Sequence, residues 1–466
     1  MINTAVAKAR AAQKNWAQVP VAERAAIFRR FSKLVLARQS EILDVIQEET
    51  KKNRLSAFEE LLDTAQLTHY YGRHASKILK PKKRRGAFPI LTKTVEVNRP
   101  VGVVGVITPW NYPFTLPATD IAPALIAGNA VVLLPDELTP KIADLMLALM
   151  LEAGLPEGLV TIIHGGGRAH GSELIPLVDF LMFTGSTATG RIVAAQCAER
   201  LIPFSAELGG KNPMLVLSDA DPVKAAEGAV RACFANSGQL CVSIERIYVV
   251  AKHYDEFMKH FVANTEAMKL GTGTDWDINM GPLISEKQFL RVRDQVIDAV
   301  SKGAKLEAGG RVRPDIAATF FEPTILTNVS DSMELGRGET FGPVVAVYSV
   351  ADDAEAIARG NDTEYGLNSS VWGGAAAMRA SRQMESGTVT VNEGFSASFA
   401  SHDAPMGGMK TSGLGRRHGR QGLLKYTQPQ TIAVQHLIGI APIGKQSNEA
   451  FAKLVTRLLG IWNKIS

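Results

Sequence analysis

Cysteine is scarce in this sequence, with only Cys197, Cys233 and Cys241 among 466 residues. Three thiols make no even disulfide framework and their spacing matches no metal-ligand pattern, so neither a disulfide scaffold nor a metal is implied. Charge of one sign is also short: 51 Lys and Arg against 46 Asp and Glu leave an excess of five. The basic run Lys80-Pro-Lys-Lys-Arg-Arg85 has no aromatic residues interleaved with it, and reads as a solvated loop rather than a nucleic-acid site. No charged leader followed by an apolar core opens the chain, so a cytoplasmic protein is expected. Long hydrophobic runs are missing too. Residues 101–135 carry one charge, Asp120, but Pro109, Pro113, Pro117 and Pro123 interrupt them, and the clean run Val101–Ile107 is too short to cross a bilayer. A buried strand, turn and helix is the expectation there.

What is present is ordinary globular composition, 46% hydrophobic and 21% charged, in a chain long enough for two or three domains. From Thr4 to about Leu79 apolar residues such as Ala25, Phe28, Phe31, Ile42 and Ile46 recur at helical spacing. After Val101–Thr108 strand and helix signals alternate: strands at Ala130–Leu134, Val160–His164 and Phe180–Phe183, helices near Ala143–Glu152 and Arg191–Arg200. Such alternation predicts an α/β fold with a doubly wound parallel sheet, the architecture that binds dinucleotides at its strand ends. Two glycine clusters sit at strand-to-helix junctions, His164–Gly171 and Gly185–Gly190, and either turn could let backbone N–H groups approach a pyrophosphate. A second alternating region follows, with strands near Arg246–Val250, Val344–Tyr348, Ser370–Trp372 and Thr388–Asn392 and helices near Phe257–Met268 and Gln288–Ser301. The tail, Ser447–Ser466, puts Phe451, Leu454, Val455, Leu458 and Trp462 on one helical face with Lys453, Arg457 and Lys464 around it. Docking on the protein's own surface or a second subunit is the favoured reading of that helix, and a membrane surface the alternative.

The stretch Glu207–Cys241 offers a carboxylate and a thiol. A cysteine attacks an electrophilic carbon as thiolate, and a nearby carboxylate can take a proton from the thiol or from water. By themselves the two residues fit a surface charge and a small buried hydrophobe equally well. The surrounding motifs decide. Glu207-Leu-Gly-Gly-Lys-Asn-Pro213 and Phe234-Ala-Asn-Ser-Gly-Gln-Leu-Cys241 are preceded by Thr108-Pro-Trp-Asn-Tyr-Pro113 and Phe183-Thr-Gly-Ser-Thr187. They are followed by Met280-Gly-Pro-Leu283, Glu339-Thr-Phe-Gly-Pro-Val344, Tyr365-Gly-Leu367 and Pro405-Met-Gly-Gly-Met-Lys-Thr-Ser-Gly-Leu-Gly-Arg416. This ordered set resembles the aldehyde dehydrogenase superfamily, and the stretches Ala400–Met409 and Gly413–Gly419 are most similar to bacterial succinate-semialdehyde dehydrogenases.

The resemblance implies two doubly wound domains: a Rossmann-like cofactor domain at 1–85 and 101–209, and a catalytic domain at 210–400. It also implies a β arm at 86–100 and 424–436 that joins subunits into a homodimer or homotetramer, leaving 437–466 as an amphipathic tail. Members commonly carry a strand-forming segment before the first helices, and this chain begins at the helices. By the same resemblance Cys241 is the nucleophile, Glu207 activates water, and the Asn111 amide stabilises an oxyanion. Gly185 and Ser186 approach the cofactor, Glu339 binds its nicotinamide ribose, Phe341 flanks the ring and Trp110 lines the pocket. The implied reaction is NAD(P)-dependent oxidation of an aldehyde through a thiohemiacetal and a thioester. Two departures qualify it. Leu134-Pro-Asp-Glu137 replaces the family's Lys-Pro-Ser-Glu, and Asp136 with Glu137 favours NAD over NADP because carboxylates accept from a free ribose hydroxyl but repel a 2'-phosphate. Thr119 stands where the enzymes typical of succinate semialdehyde place an arginine, and Asp120 where many members place a basic residue. Succinate semialdehyde is still the expected substrate, ahead of longer aliphatic or aromatic aldehydes; the rival classes are a silent dinucleotide-binding scaffold and an acyl-transferring enzyme. His402 borders the expected substrate mouth as either a structural or a specificity residue.

Overall fold

The helical periodicity of the first eighty residues becomes four helices in the computed structural model, Ile2–Trp16, Val21–Ala37, Gln39–Thr50 and Arg54–Leu79. Their apolar stripes lie inward, with Phe28, Phe31, Val35, Ile42, Leu43 and Ile46 fully buried. The structure describes residues 1–86, 92–396, 399, 401–436, 441–442 and 444–465. Parts of the expected arm (87–91), the end of the expected catalytic domain (397, 398 and 400), the start of the tail (437–440 and 443), and the face position of Trp462 lie outside the described residues or side chains.

Six strands form the first sheet in the order Gly413–Leu414, Phe204–Glu207, Phe180–Thr184, Val103–Ile107, Ala130–Leu134, Val160–Ile162. The last five are mutually parallel, and Gly413 closes the edge antiparallel, directly opposite Glu207. Val103–Ile107, Ala130–Leu134 and Phe180–Thr184 bury every residue, as strands covered on both faces must. Seven strands form the second sheet: Lys305–Ala308, Thr324–Thr327, Val344–Val350, Ile244–Val250, Asn212–Val216, Asn368–Trp372, Thr388–Val391. Only the first of these runs antiparallel to its neighbour. Under this sheet Met214, Ile247, Val345, Phe257 and Phe320 pack without exposure, and Phe234 stacks on Phe261 at 6.1 Å.

Both sheets belong to one compact unit, residues 1–78 with 100–427; residues 79–99 and 428–466 form a second. In the second unit Lys82–Arg84, Thr92–Pro100 and Thr427–Gln435 share a sheet, and Asn448–Ile465 is helical. The returning strand starts at Thr427 because the helix Gly419–Leu424 occupies the residues before it. Five strands of the two large sheets carried no sequence signal of their own, and Gly413–Leu414 is only two residues long. Phe204–Glu207, Lys305–Ala308 and Thr324–Thr327 have only four residues each, and Asn212–Val216 holds Pro213, which lowers strand propensity.

The motif Glu207-Leu-Gly-Gly-Lys-Asn-Pro is the crossing between the two sheets. Glu207 ends a strand of the first, and Asn212 begins a strand of the second. The crossing passes so close to its neighbours that a Cβ on Gly209 would lie 2.7 Å from the Glu339 carboxylate, and one on Gly210 2.9 Å from the Cys241 carbonyl oxygen. Glycine is required by that approach.

Candidate active site

Cys241 follows a loop whose backbone is held in a sparsely populated shape: Asn236 and Ser237 have φ of 49° and 57°, and Gly238 has 70°. The loop is pinned from three sides. Ser237 Oγ donates to the Gly281 carbonyl at 2.8 Å, the Asn236 N–H donates to Ser56 Oγ at 3.1 Å, and the Ile284 N–H donates to Gln239 Oε1 at 3.1 Å. The Met280–Leu283 motif is thereby explained as a wall of this loop. Asn212 Nδ2 donates to the carbonyls of Cys241 (2.8 Å) and Ser243 (2.7 Å), fixing the residue just after the turn. Cys241 itself is half-buried, against an apolar cluster of Tyr112, Leu116, Leu240, Val242, Phe395, Phe399 and Met406.

Burial by itself does not activate this thiol. Burial pushes the Cys241 thiol up to about 12, and the negative charges of Glu207 and Glu339 push the same way. Removing water disfavours a thiolate, so activation must come from what joins the site.

Glu207 lies at the carboxyl end of its strand, and neither carboxylate oxygen accepts a hydrogen bond among the described residues. Burial pushes it up to about 7, with Asp120 adding to the rise and Arg417, Lys425 and Arg416 opposing it. A Cβ on Gly407 would lie 3.0 Å from its Oε1, so the Pro405-Met-Gly-Gly motif keeps side chains away from this carboxylate. Behind it runs a buried polar network that the sequence reading left incomplete. Asp120, flagged only as a departure, accepts from Arg417 Nη2, from Tyr426 Oη at 3.0 Å and from Lys425 Nζ at 3.3 Å, while Arg417 also donates to Thr184 Oγ1 at 2.8 Å. The acid at 120 and the cation at 417 therefore answer each other across the sheet edge. Arg417 was visible only as the second arginine of Gly-Leu-Gly-Arg-Arg-His.

Asn111 is buried; its side-chain amide donates to the Gln239 carbonyl at 3.1 Å, which turns it toward the Cys241 loop. Its backbone carbonyl accepts from Lys52 Nζ (2.5 Å) and Asn236 Nδ2 (3.2 Å). Lys52 is in turn paired with Glu60 at 2.7 Å, and Glu60 also accepts from the N–H groups of Phe114 and Thr115. A second buried pair, Lys211 with Glu245 at 2.7 Å, does the same for the Glu339-Thr-Phe motif: Glu245 accepts from the N–H groups of Thr340 and Phe341. Lys52, Glu60 and Glu245 did not stand out in the sequence, and Lys211 did so only as a member of the Glu207–Pro213 motif, because nothing local marks a charged residue as buried.

The expected cofactor residues fall into two groups. Glu339, pushed up to about 7 by burial and by Glu245, accepts from the Gly210 N–H at 2.9 Å. Trp110 and Phe341 meet edge to face at 5.6 Å, with Phe341 in the left-handed backbone region at φ 57°. These three sit at the sheet crossing with the catalytic loop. Gly185 and Ser186 sit where the strand Phe180–Thr184 turns into the helix Thr187–Glu199: the Gly185 N–H donates to the Glu207 carbonyl at 3.1 Å, and Ser186 Oγ caps the helix by accepting from the Thr189 N–H at 3.3 Å. Glu137 is exposed just past Ala130–Leu134, and Asp136 beside it accepts from the Leu138 N–H. The other glycine cluster opens the helix Gly166–Leu174 from Gly165, at φ 105°. Helix starts, an acceptor for a ribose hydroxyl and an aromatic pair at the strand ends are the donor set that a dinucleotide needs, so the residues fit the group.

Comparison with known proteins gives the family. The model of the aldehyde dehydrogenase family matches residues 1–432. A protein of Mycolicibacterium smegmatis named putative succinate-semialdehyde dehydrogenase, NADP(+), is 50% identical over all of this chain and 90% of its own. A Mycobacterium tuberculosis protein named putative succinate-semialdehyde dehydrogenase, NADP(+), 2 is 50% identical over 95% of this chain and 86% of its own. Among solved structures, an aldehyde dehydrogenase from Brucella melitensis biovar abortus superposes with a TM-score of 0.89 at 35% identity, covering 94% of this chain and 90% of that one. Betaine aldehyde dehydrogenase of Staphylococcus aureus in complex with NAD+ gives 0.89 at 31% identity over 95% and 89%. The family's motifs lie where its fold needs them, and the chain belongs to the aldehyde dehydrogenase family, enzymes that oxidise aldehydes with NAD(P).

Proposed function

We propose that the chain oxidises succinate semialdehyde to succinate, with Cys241 as nucleophile and Glu207 as the base that activates water. The observation that carries the assignment of Glu207 is a buried carboxylate without a hydrogen-bond partner among the described residues, close enough to a half-buried thiol for its charge to act on it. The Cys241 thiol gives its proton to solvent, and the thiolate Sγ adds to the carbonyl carbon while the C=O π pair moves onto the oxygen. The Asn111 amide and the Cys241 N–H face the developing oxyanion; one such donor is worth about 3 kcal/mol. A bound nicotinamide supplies the hydride acceptor, and the sulfur is left carrying an acyl group. Glu207 then takes a proton from water, whose oxygen attacks the thioester and frees the carboxylate product. Glu339, Phe341 and Trp110 would hold the nicotinamide end, and Gly185 and Ser186 the pyrophosphate.

The substrate assignment is supported by the names of the 50% identical relatives. For the cofactor we infer a preference for NAD from Asp136 and Glu137, although those relatives are named for NADP(+). The strands Thr92–Pro100 and Thr427–Gln435 are proposed to pair subunits as a homodimer or homotetramer in the cytoplasm, with the tail helix seated on protein rather than lipid. No helix among the described residues is long and apolar enough to cross a membrane.

The test is NADH and NADPH formation with succinate semialdehyde, hexanal and benzaldehyde. Succinate semialdehyde should give the highest kcat/KM, with NAD ahead of NADP and Glu137→Lys narrowing that gap. Cys241→Ser should abolish turnover with every aldehyde. A higher kcat/KM for hexanal or benzaldehyde would reject the substrate, and residual full activity of the serine variant would reject the chemistry.

A further inference from the structure

Three side chains that the reaction does not use converge beside the apolar wall of the site. Asp63 comes from the helix Arg54–Leu79, His402 from the loop 401–405, and His418 from the residue after Arg417. One ligand atom of each lies within 4.8 Å of the other two. Asp63 and His418 are almost fully buried, and Asp63 Oδ1, His402 Nδ1 and His418 Nδ1 have no hydrogen-bond partner among the described residues.

The outer contacts say what these atoms are. His402 Nε2 lies 3.1 Å from Gln66 Oε1, an acceptor, so the ring proton sits on Nε2 and Nδ1 carries the lone pair. That lone pair faces Asp63 Oδ1 at 3.9 Å, too far for a hydrogen bond. Asp63 Oδ2 is held by Thr115 Oγ1 at 2.5 Å, which turns Oδ1 toward the imidazoles. Asp63 Oδ1 and the lone pair of His402 Nδ1 thus face each other unpartnered, with a ring nitrogen of His418 within 4.8 Å of both, and a cation placed among them would be held by all three. His418 is kept there at φ 59°, a backbone shape a histidine adopts at a cost, and the Gly419 N–H donates to the His402 carbonyl at 2.7 Å to tie the two histidines together.

We propose that Asp63, His402 and His418 form a site for a divalent transition-metal ion of the Zn2+ class. Two imidazole nitrogens and one carboxylate oxygen select such an ion over Mg2+ or Ca2+, which take oxygen ligands. Around Zn2+ the ligands sit about 2.0–2.2 Å from the metal, so the three atoms close by roughly an ångström and leave a fourth position for water. The Thr115 and Gln66 contacts are the hydrogen bonds to ligands that metal sites require. The histidines are far from Asp63 in sequence, and for that reason no ligand spacing announced them.

Zn2+ binding to the full-length protein, measured by calorimetry, and the visible spectrum of the Co2+-loaded protein test this. Cys241→Ser serves as background, because the thiol is itself a soft ligand. One Zn2+ per chain should bind to both the wild type and Cys241→Ser, and Co2+ should give a nitrogen and oxygen spectrum without thiolate charge transfer. His402→Gln, Asp63→Asn and His418→Asn should each weaken binding at least about 10–100-fold; asparagine is chosen at 418 because it tolerates the left-handed backbone. If the buried variants fail to fold, His402→Gln and the wild-type Co2+ spectrum still decide. Absence of stoichiometric binding, binding lost with Cys241→Ser, or binding untouched by His402→Gln would each overturn the site.

Discussion

Three buried glutamates surround the catalytic loop, and they live in opposite circumstances. Glu60 and Glu245 each hold a lysine at 2.7 Å and two backbone N–H groups, whereas Glu207 accepts no hydrogen bond among the described residues. A paired buried carboxylate stiffens what it touches, and here the two pairs fix Asn111 and the Thr340–Phe341 turn. An orphaned one costs stability and is kept for what it does. The same residue type at similar depth is thus clamped in two places and left unpaired in the third, which is why the proposed chemistry is assigned to Glu207.

The comparison breaks most visibly at Glu207. Glu207→Gln should lower turnover about 10²–10⁴-fold in a steady-state assay, since the water-activating group is lost. The same variant should be more stable than the wild type at pH 8. A carboxyl held near 7 in the fold but near 4.3 when unfolded binds more protons folded than unfolded between those values, so its stabilising contribution fades as pH rises through 7. Glutamine escapes that loss, by about 1–3 kcal/mol in denaturant unfolding. Lysine removal gives the contrary result: Lys52→Met or Lys211→Met leaves an unpaired buried charge and should destabilise the protein by about 3–5 kcal/mol. If either lysine variant is as stable as the wild type, the distinction between clamp and catalyst fails.

Smaller effects sharpen it. The pH profile of kcat/KM should rise with a midpoint near 7 and fall about tenfold per unit below it, as Glu207 protonates. Alkylation of Cys241 by iodoacetamide without cofactor should be slow at pH 8, because burial pushes the thiol up to about 12. Glu207→Gln should speed that alkylation modestly, since the neighbouring negative charge is one reason the thiol is held up. Slower alkylation would mean that Glu207 deprotonates the thiol directly.

The chemical groups and the parallel-sheet architecture were legible in the sequence, because buried strands leave apolar runs, and sites that need glycine at close approaches leave motifs. Gly209, Gly210 and Gly238 illustrate this: a Cβ at the first two would press on Glu339 and on the Cys241 carbonyl, and at the third would collide with the Gly342 carbonyl. The short strands Phe204–Glu207, Lys305–Ala308 and Thr324–Thr327 were not legible, since four residues of mixed character hold too little pattern, whereas Thr388–Val391 was, because all four of its residues are β-branched. Nor were Lys52, Glu60 and Glu245, whose composition is that of any surface charge.

The sequence by itself determined which thiols, which carboxylates and which turns the protein possesses, since these depend on residue type and local spacing. Only the tertiary structure decided which acids are paired, which cation answers Asp120, and that Asp63 meets His402 and His418. Those are relations between side chains remote along the chain, and a charge's energy is set by whatever folding brings within a few ångströms of it.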